Sequence, residues 1–354
     1  LNSNSQKKLQ SIEYSKIVDI YQMCINQKNE STLSILSIIE ELTLKFQSKI
    51  LIESLYADYK ENFNNFELIN KMYHYFEYNN KSEALYNLGI IYEKGIYVKQ
   101  DINKAIHYFQ LAADKNCSES QFKLGSIYFE GNFVMFNIDK AIHYFQLATN
   151  QNHMDAQFIL GCIFDGGLNV SIDINKAIHY YTLAADQNHI EAQFNLGNIY
   201  YQSQNKAQNI NKMIHYYSLA ANQNHPKAQF ILGSIYEKGQ YITQDIKKAI
   251  FYYSLAADQN YVEAQFNLGY IFYQGEYVTQ DIIKAIYYLT CAADQNYLGA
   301  QFILAVIFIE GKYVKQDISK AIYYYKLSAN QNDSIAQYHL GLIYYEGKYI
   351  KPDI

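Results

Sequence analysis

Residues 264–296 read AQFNLGYIFYQGEYVTQDIIKAIYYLTCAADQN, and this stretch decides the fold. Ala264, Leu268, Ile271 and Phe272 fall at i, i+4, i+7 and i+8, the spacing of one helical face. A second face is made by Ile282, Ala285, Ile286, Tyr288 and Ala292, and Asp281 before it suits an N-cap. Asn296 follows, a residue type that tolerates the left-handed conformation in which helices end. The stretch is therefore a helix hairpin, with a first helix A and a second helix B.

Moving outward in both directions, the same unit returns every 36 residues. Its first glycine recurs as Gly89, Gly125, Gly161, Gly197, Gly233, Gly269 and Gly341, with Ala305 filling the gap. The N-cap position of helix B reads Asp101, Asn137, Asp173, Asn209, Asp245, Asp281 and Asp317. The closing position is Asn116, Asn152, Asn188, Asn224, Asn260, Asn296 and Asn332. Seven complete copies occupy 81–332, and an eighth begins at Asp333 and runs to Ile354. Helices of about a dozen residues are marginal alone, so the hairpins must stack. Small residues such as Gly89 and Ala112 permit close backbone approach, and Tyr92 and Tyr108 are expected to fill the space between hairpins. Most of the 38 tyrosines are read in this way, as packing.

A second glycine lies six residues after the first, at Gly95, Gly131, Gly167, Gly239, Gly275, Gly311 and Gly347, and an aromatic with Val or Ile usually follows it. With this loop the chain resembles the Sel-1-like repeats, relatives of tetratricopeptide arrays. Tetratricopeptide units run about 34 residues and carry a Trp, whereas this chain has no Trp, two Pro and the longer period. The resemblance implies an all-α, right-handed α-solenoid of stacked helix hairpins. The fourth copy departs from the pattern, with Ser203 for Gly and Asn205 and Lys206 after it, and a differently packed loop is expected there. Some bacterial relatives tie each hairpin with a disulfide. Here Cys24, Cys117, Cys162 and Cys291 fall at unrelated repeat positions, so neither a disulfide framework nor a metal site follows.

Residues 1–80 lack the repeat motif but show helical spacing at Ile17, Ile20, Tyr21 and Cys24; at Ile35, Ile38, Ile39 and Leu42; at Ile52, Leu55, Tyr56 and Tyr59; and at Ile69, Met72, Tyr73 and Phe76. Four helices are expected, as a cap or as the remnant of a preceding domain. Asp353 reads as the N-cap of an absent helix B, which suggests a fragment, since solenoid ends need a polar cap.

A net charge of −5 and a pI near 6.0 argue against a nucleic-acid partner, which favours a basic stripe. No run approaches the roughly 18 apolar residues that span a bilayer. Sparse, unpaired cysteines favour the reducing cytoplasm, with the endoplasmic reticulum as the alternative. The sequons at Asn29, Asn80, Asn116, Asn169 and Asn332 are of the kind an Asn- and Ser-rich chain produces by chance.

Function is sought where the copies differ. Four helix A positions vary while the core face repeats, and at about 100° per residue they share one narrow arc. They supply the candidate partner-binding residues Lys123, Asn195, Asn198, Gln202, Ser234, Lys238, Asn267, Tyr270 and Gln274. In related solenoids helix A lines the groove, which suits an extended peptide or a partner helix. Two histidine rows stand out, His107, His143, His179 and His215 on helix B, and His153, His189 and His225 in the turn. Either row would suit a pH-sensing or metal-binding ladder, but repeats stacked about 9–10 Å apart cannot share a metal. No phosphate loop, nucleophile elbow or H-E-x-x-H helix is present.

These features lead to a non-catalytic scaffold or adaptor for a protein or peptide, with no cofactor, no metal, no nucleic acid and no direct membrane insertion. The resemblance also implies an adaptor of a membrane ubiquitin ligase in endoplasmic-reticulum-associated degradation, which predicts a signal peptide before Leu1 and an anchor after Ile354. A third reading is the regulatory solenoid of a longer signalling enzyme such as a kinase.

Overall fold

A computed structural model describes residues 82–95, 99–203 and 206–346. The four helices expected in residues 1–80, the Gly347 turn, Asn205 and the Asp353 cap lie outside the described residues. The described residues form helices joined by loops, with no strand among them, and they fall into two compact units that divide between residues 148 and 149.

In the first unit, α1 (Ser82–Lys94) pairs with α2 (Ile102–Asp114), and α3 (Ser118–Glu130) packs on α2; α4 (Ile138–Thr149) follows. In the second, the hairpins are α5 (Met154–Gly166) with α6 (Ile174–Asp186), α7 (Ile190–Gln202) with α8 (Lys206–Asn222), α9 (Pro226–Lys238) with α10 (Ile246–Ala257), α11 (Val262–Gln274) with α12 (Ile282–Asp294), and α13 (Leu298–Glu310) with α14 (Ile318–Asn330); α15 (Ser334–Glu346) packs on α14. Within the second unit each helix B also touches the helix A that follows it, and α7 touches α5, so the hairpins of that unit stack in series.

The caps fall where the repeat places them. Asp101, Asp173, Asp245, Asp281 and Asp317 each accept the backbone N–H three residues on, at 3.0 Å, and Asn137 does the same at 2.9 Å. The closing asparagines adopt φ of 60° to 67°. Asn209 is a correction. Helix α8 starts three residues earlier, at Lys206, so Asn209 lies inside it, and its Nδ2 donates to Ser203 Oγ at 3.0 Å. With Ser203 at φ −58° in place of a left-handed glycine, the chain re-enters a helix at once instead of crossing the longer loop.

The core is a repeated stack of small residues and rings. A β-carbon on Gly161, Gly197 or Gly233 would sit 2.4–2.6 Å from the ring of Tyr181, Tyr217 or Tyr253, so glycine is what lets these buried rings lie flat on helix A. Tyr92 and Tyr108 stack on each other, with centroids 5.5 Å apart, and the same rows reach the neighbouring repeat: Tyr92 packs on the cluster that holds Leu124 and Ile127, and the Tyr144 hydroxyl donates to Gln110 Oε1 at 2.6 Å. The equivalent pairs Tyr200–Tyr216 and Tyr236–Tyr252 are each at 5.8 Å. The lysine at the start of each helix B covers the outer ring, as Lys212 does Tyr200 at 5.2 Å and Lys248 does Tyr236 at 4.9 Å. Such contacts contribute about 0.5–1 kcal/mol each at exposed positions. The rings pair because positions 16 residues apart face each other across the turn.

The glutamine of the A-Q-F motif joins the repeats. Gln193, Gln229, Gln265 and Gln301 are buried and donate Nε2 to the carbonyls of Ala185, Ala221, Ala257 and Ala293 at the end of the preceding helix B. Their Oε1 atoms accept from Gln223, Gln259, Gln295 and Gln331 at 2.8 Å. One side chain thus ties three helices, and it satisfies polar atoms that would otherwise be costly to bury.

Candidate functional site

Helices α7, α9 and α11 of the second unit carry all the candidate residues except Lys123, which is on α3 of the first. Gln202, Lys238, Tyr270 and Gln274 are exposed, whereas Lys123, Asn195, Asn198, Ser234 and Asn267 are half-buried. The division has a cause that the sequence comparison hid. The half-buried positions surround a tyrosine hydroxyl that emerges between successive A helices, or its equivalent.

Tyr181 is the first such hub. Its ring packs on Gly161, which sends the hydroxyl toward Asp165 Oδ2 at 3.3 Å and Cys162 Sγ at 3.5 Å, while Asn195 Nδ2 of the next repeat donates to it at 3.3 Å. The Tyr217 hydroxyl donates to Asn198 Oδ1 at 2.8 Å. The Tyr253 hydroxyl donates to Glu237 Oε2 at 2.6 Å and also bonds with Ser234 and Asn267. Burial lifts all three phenols above the ordinary tyrosine range, and for Tyr253 the facing Glu237 carboxylate adds to the effect.

Variation along the strip therefore follows the hub residue as well as any ligand. Where the hub is Leu289, the corresponding helix A positions are Tyr270 and Ile303. In the first unit the equivalent residue is Phe109, and Lys123 Nζ pairs with Glu93 Oε1 at 2.8 Å instead of standing free. The bonding orients two amides in opposite senses. Asn195 spends one Nδ2 hydrogen on Tyr181 and keeps its Oδ1 and second N–H, whereas Asn198 accepts at Oδ1 from Tyr217 and keeps both Nδ2 hydrogens.

The two histidine rows separate in role. His107, His143, His179 and His215 are exposed, and each lies edge-on to the next tyrosine at 5.2–5.6 Å. His153, His189 and His225 are N-caps of helix A: Nδ1 accepts the N–H of Ala156, Ala192 and Ala228 at 3.3, 3.2 and 3.1 Å. Among the described residues, no group of three or more His, Cys, Asp or Glu could hold a metal ion. Cys117, Cys162 and Cys291 are free thiols. The turn row was legible as a cap, since it directly precedes helix A, but imidazole is outside the usual N-cap set.

The Sel1 repeat family model matches eight consecutive segments, 82–117, 118–153, 155–189, 190–225, 226–261, 262–297, 299–333 and 334–354. The chain belongs to the Sel1 repeat family. Among solved structures it is similar to c5321, a protective antigen of uropathogenic Escherichia coli with an SLR fold, at 27% identity over 90% of this chain and 68% of that one, with a TM-score of 0.74. It shares its fold with a Sel1 repeat protein from Oxalobacter formigenes at 23% identity, over 91% and 92% of the two chains, with a TM-score of 0.64. No curated protein matches the chain significantly. Sel1 repeats generally mediate protein–protein interaction, and Sel1 solenoids are typically non-catalytic scaffolds. No described helix of this Sel1 array is long and apolar enough to cross a membrane.

Proposed function

We propose that this Sel1 array is a non-catalytic scaffold that holds an extended segment of a partner protein along α7, α9 and α11. The observation that carries the reading is the pair of amides Asn195 and Asn198, each held in place by a tyrosine hydroxyl. Both keep hydrogen-bonding capacity beyond that hydroxyl, and an extended peptide offers one N–H and one C=O per residue to such a pair. Fixing the amides before binding lowers the ordering cost that a flexible side chain would add. Beside them, Gln202, Lys238, Tyr270 and Gln274 are exposed and free to set side-chain preference, with Tyr270 as the aromatic anchor.

Selection of a random peptide library on the purified chain tests the reading. Selected peptides should bind a variant carrying Gln202→Glu, Lys238→Glu, Tyr270→Ala and Gln274→Lys at least tenfold more weakly, with an unchanged melting temperature. Equal binding by both proteins would place the interaction elsewhere.

A further inference from the structure

The turn histidines join adjacent repeats in a way that depends on their protonation state. Each caps its own helix A through Nδ1, which requires a lone pair there and the ring proton on Nε2. His189 also stacks on Phe158 of the preceding repeat, and His225 on Phe194, in both cases with centroids 4.3 Å apart. The remaining nitrogen faces a carboxylate of the preceding helix A. His189 Nε2 lies 3.9 Å from Asp155 Oδ1, and His225 Nε2 lies 3.4 Å from Glu191 Oε1. The same ring thus caps one repeat, stacks on the one before it and faces that repeat's acid.

Four other copies have no histidine at this position. Cys117, Tyr261 and Tyr297 occupy the position without a side-chain cap bond, and Asp333 caps through a carboxylate. A proton added to the imidazole must go to Nδ1, where it confronts the N–H of Ala192 or Ala228 and removes the only acceptor those groups have from the cap. The charged groups facing His189 are Asp155 from α5 and Glu191 from its own helix. Glu191 of α7 faces His225, and Lys227 holds the place on α9 that Glu191 holds on α7. The carboxylates favour the imidazolium; the cap geometry and burial oppose it.

We propose that the α5–α7 junction is an acid-sensitive hinge, at which protonation of His189 uncaps α7 and loosens one repeat from the next. The direction agrees with His189, whose basicity burial depresses below the ordinary histidine range. A depressed folded-state value means the stabilisation is complete above about pH 6.5 and is lost as pH falls below it. Because Glu191 lies at the first turn of the same strip as Asn195, loosening there also alters the proposed binding face.

Hydrogen exchange by mass spectrometry on the full chain at pH 7.0 and pH 5.3, corrected for intrinsic rates, tests this directly. Amides at the start of α7 should lose at least fivefold in protection at the lower pH, while those at the starts of α11 and α13, which follow Tyr261 and Tyr297, keep theirs. The variant His189→Ser retains a capping oxygen without titrating in this range, and its protection should not depend on pH. NMR titration of the native chain is independent of any variant's folding and should show His189 titrating below 6.5. Protection at α7 that is independent of pH, equal loss in the serine variant, or a His189 midpoint above 6.5 would each overturn the proposal.

Discussion

Gln223 Nε2 donates to Gln193 Oε1 at 2.8 Å, and Gln193 in turn donates to the Ala185 carbonyl at 3.2 Å. Replacing Gln193 with methionine keeps most of its shape and removes both bonds; the Ala185 carbonyl keeps the Asn188 N–H at 2.9 Å, whereas the Gln223 amide loses its Gln193 acceptor. The expected cost is about 0.5–1.5 kcal/mol, read as a lower urea midpoint. A loss of under half a kilocalorie would mean that the repeats are held by apolar contact alone.

Glycine has opposite meanings at two places of the same repeat register. Gly197→Ala drives a methyl group against the Tyr217 ring, 2.5 Å away, and should destabilise the chain by about 1–3 kcal/mol. Gly341→Ala meets nothing within 4 Å and lies within α15, so it should stabilise by up to about 1 kcal/mol. Thermal melts of the two variants should shift in opposite directions.

The corrected start of α8 separates two residues that look equivalent in the sequence. Asp281→Ala removes an N-cap bond and should lower the melting temperature. Asn209→Ala removes only the bond to Ser203 inside a helix that is already under way, and should cost less. The reverse order would restore Asn209 as the cap.

The buried hubs make the array sensitive to alkali. Tyr181, Tyr217 and Tyr253 resist ionisation in the folded chain, and burial pushes Tyr325 up to about 12. Because the folded values are raised, their contribution is intact below about pH 10, the ordinary tyrosine value, and is lost as pH rises through it toward the folded values. Urea midpoints should therefore fall steeply above pH 10. The triple variant Tyr181→Phe, Tyr217→Phe and Tyr253→Phe should start lower but lose less over the same range.

Much of this fold was legible because its determinants are local. Asp281 caps, Asn296 turns and Gly275 opens the loop through the conformational preferences of single residues, and the 36-residue recurrence shows each preference many times over. The need to stack was equally plain, since helices this short do not persist alone. The start of α8 was misread because one tertiary hydrogen bond, from Asn209 to Ser203, accompanies a helix that starts before its expected cap.

The candidate strip was legible only as variation. Sequence determined that Asn195, Asn198 and Asn267 lie on the free arc of helix A, because 3.6-residue periodicity is a property of the chain itself. Only the tertiary structure decided that Asn195 serves Tyr181, Asn198 serves Tyr217 and Asn267 serves Tyr253. The same holds for the histidine caps, whose stacking partners lie 31 residues earlier at Phe158 and Phe194. Which hydroxyl an amide meets depends on how one hairpin sits on the next, and that is set by ring volume against glycine, a distance in space that no spacing along the chain records.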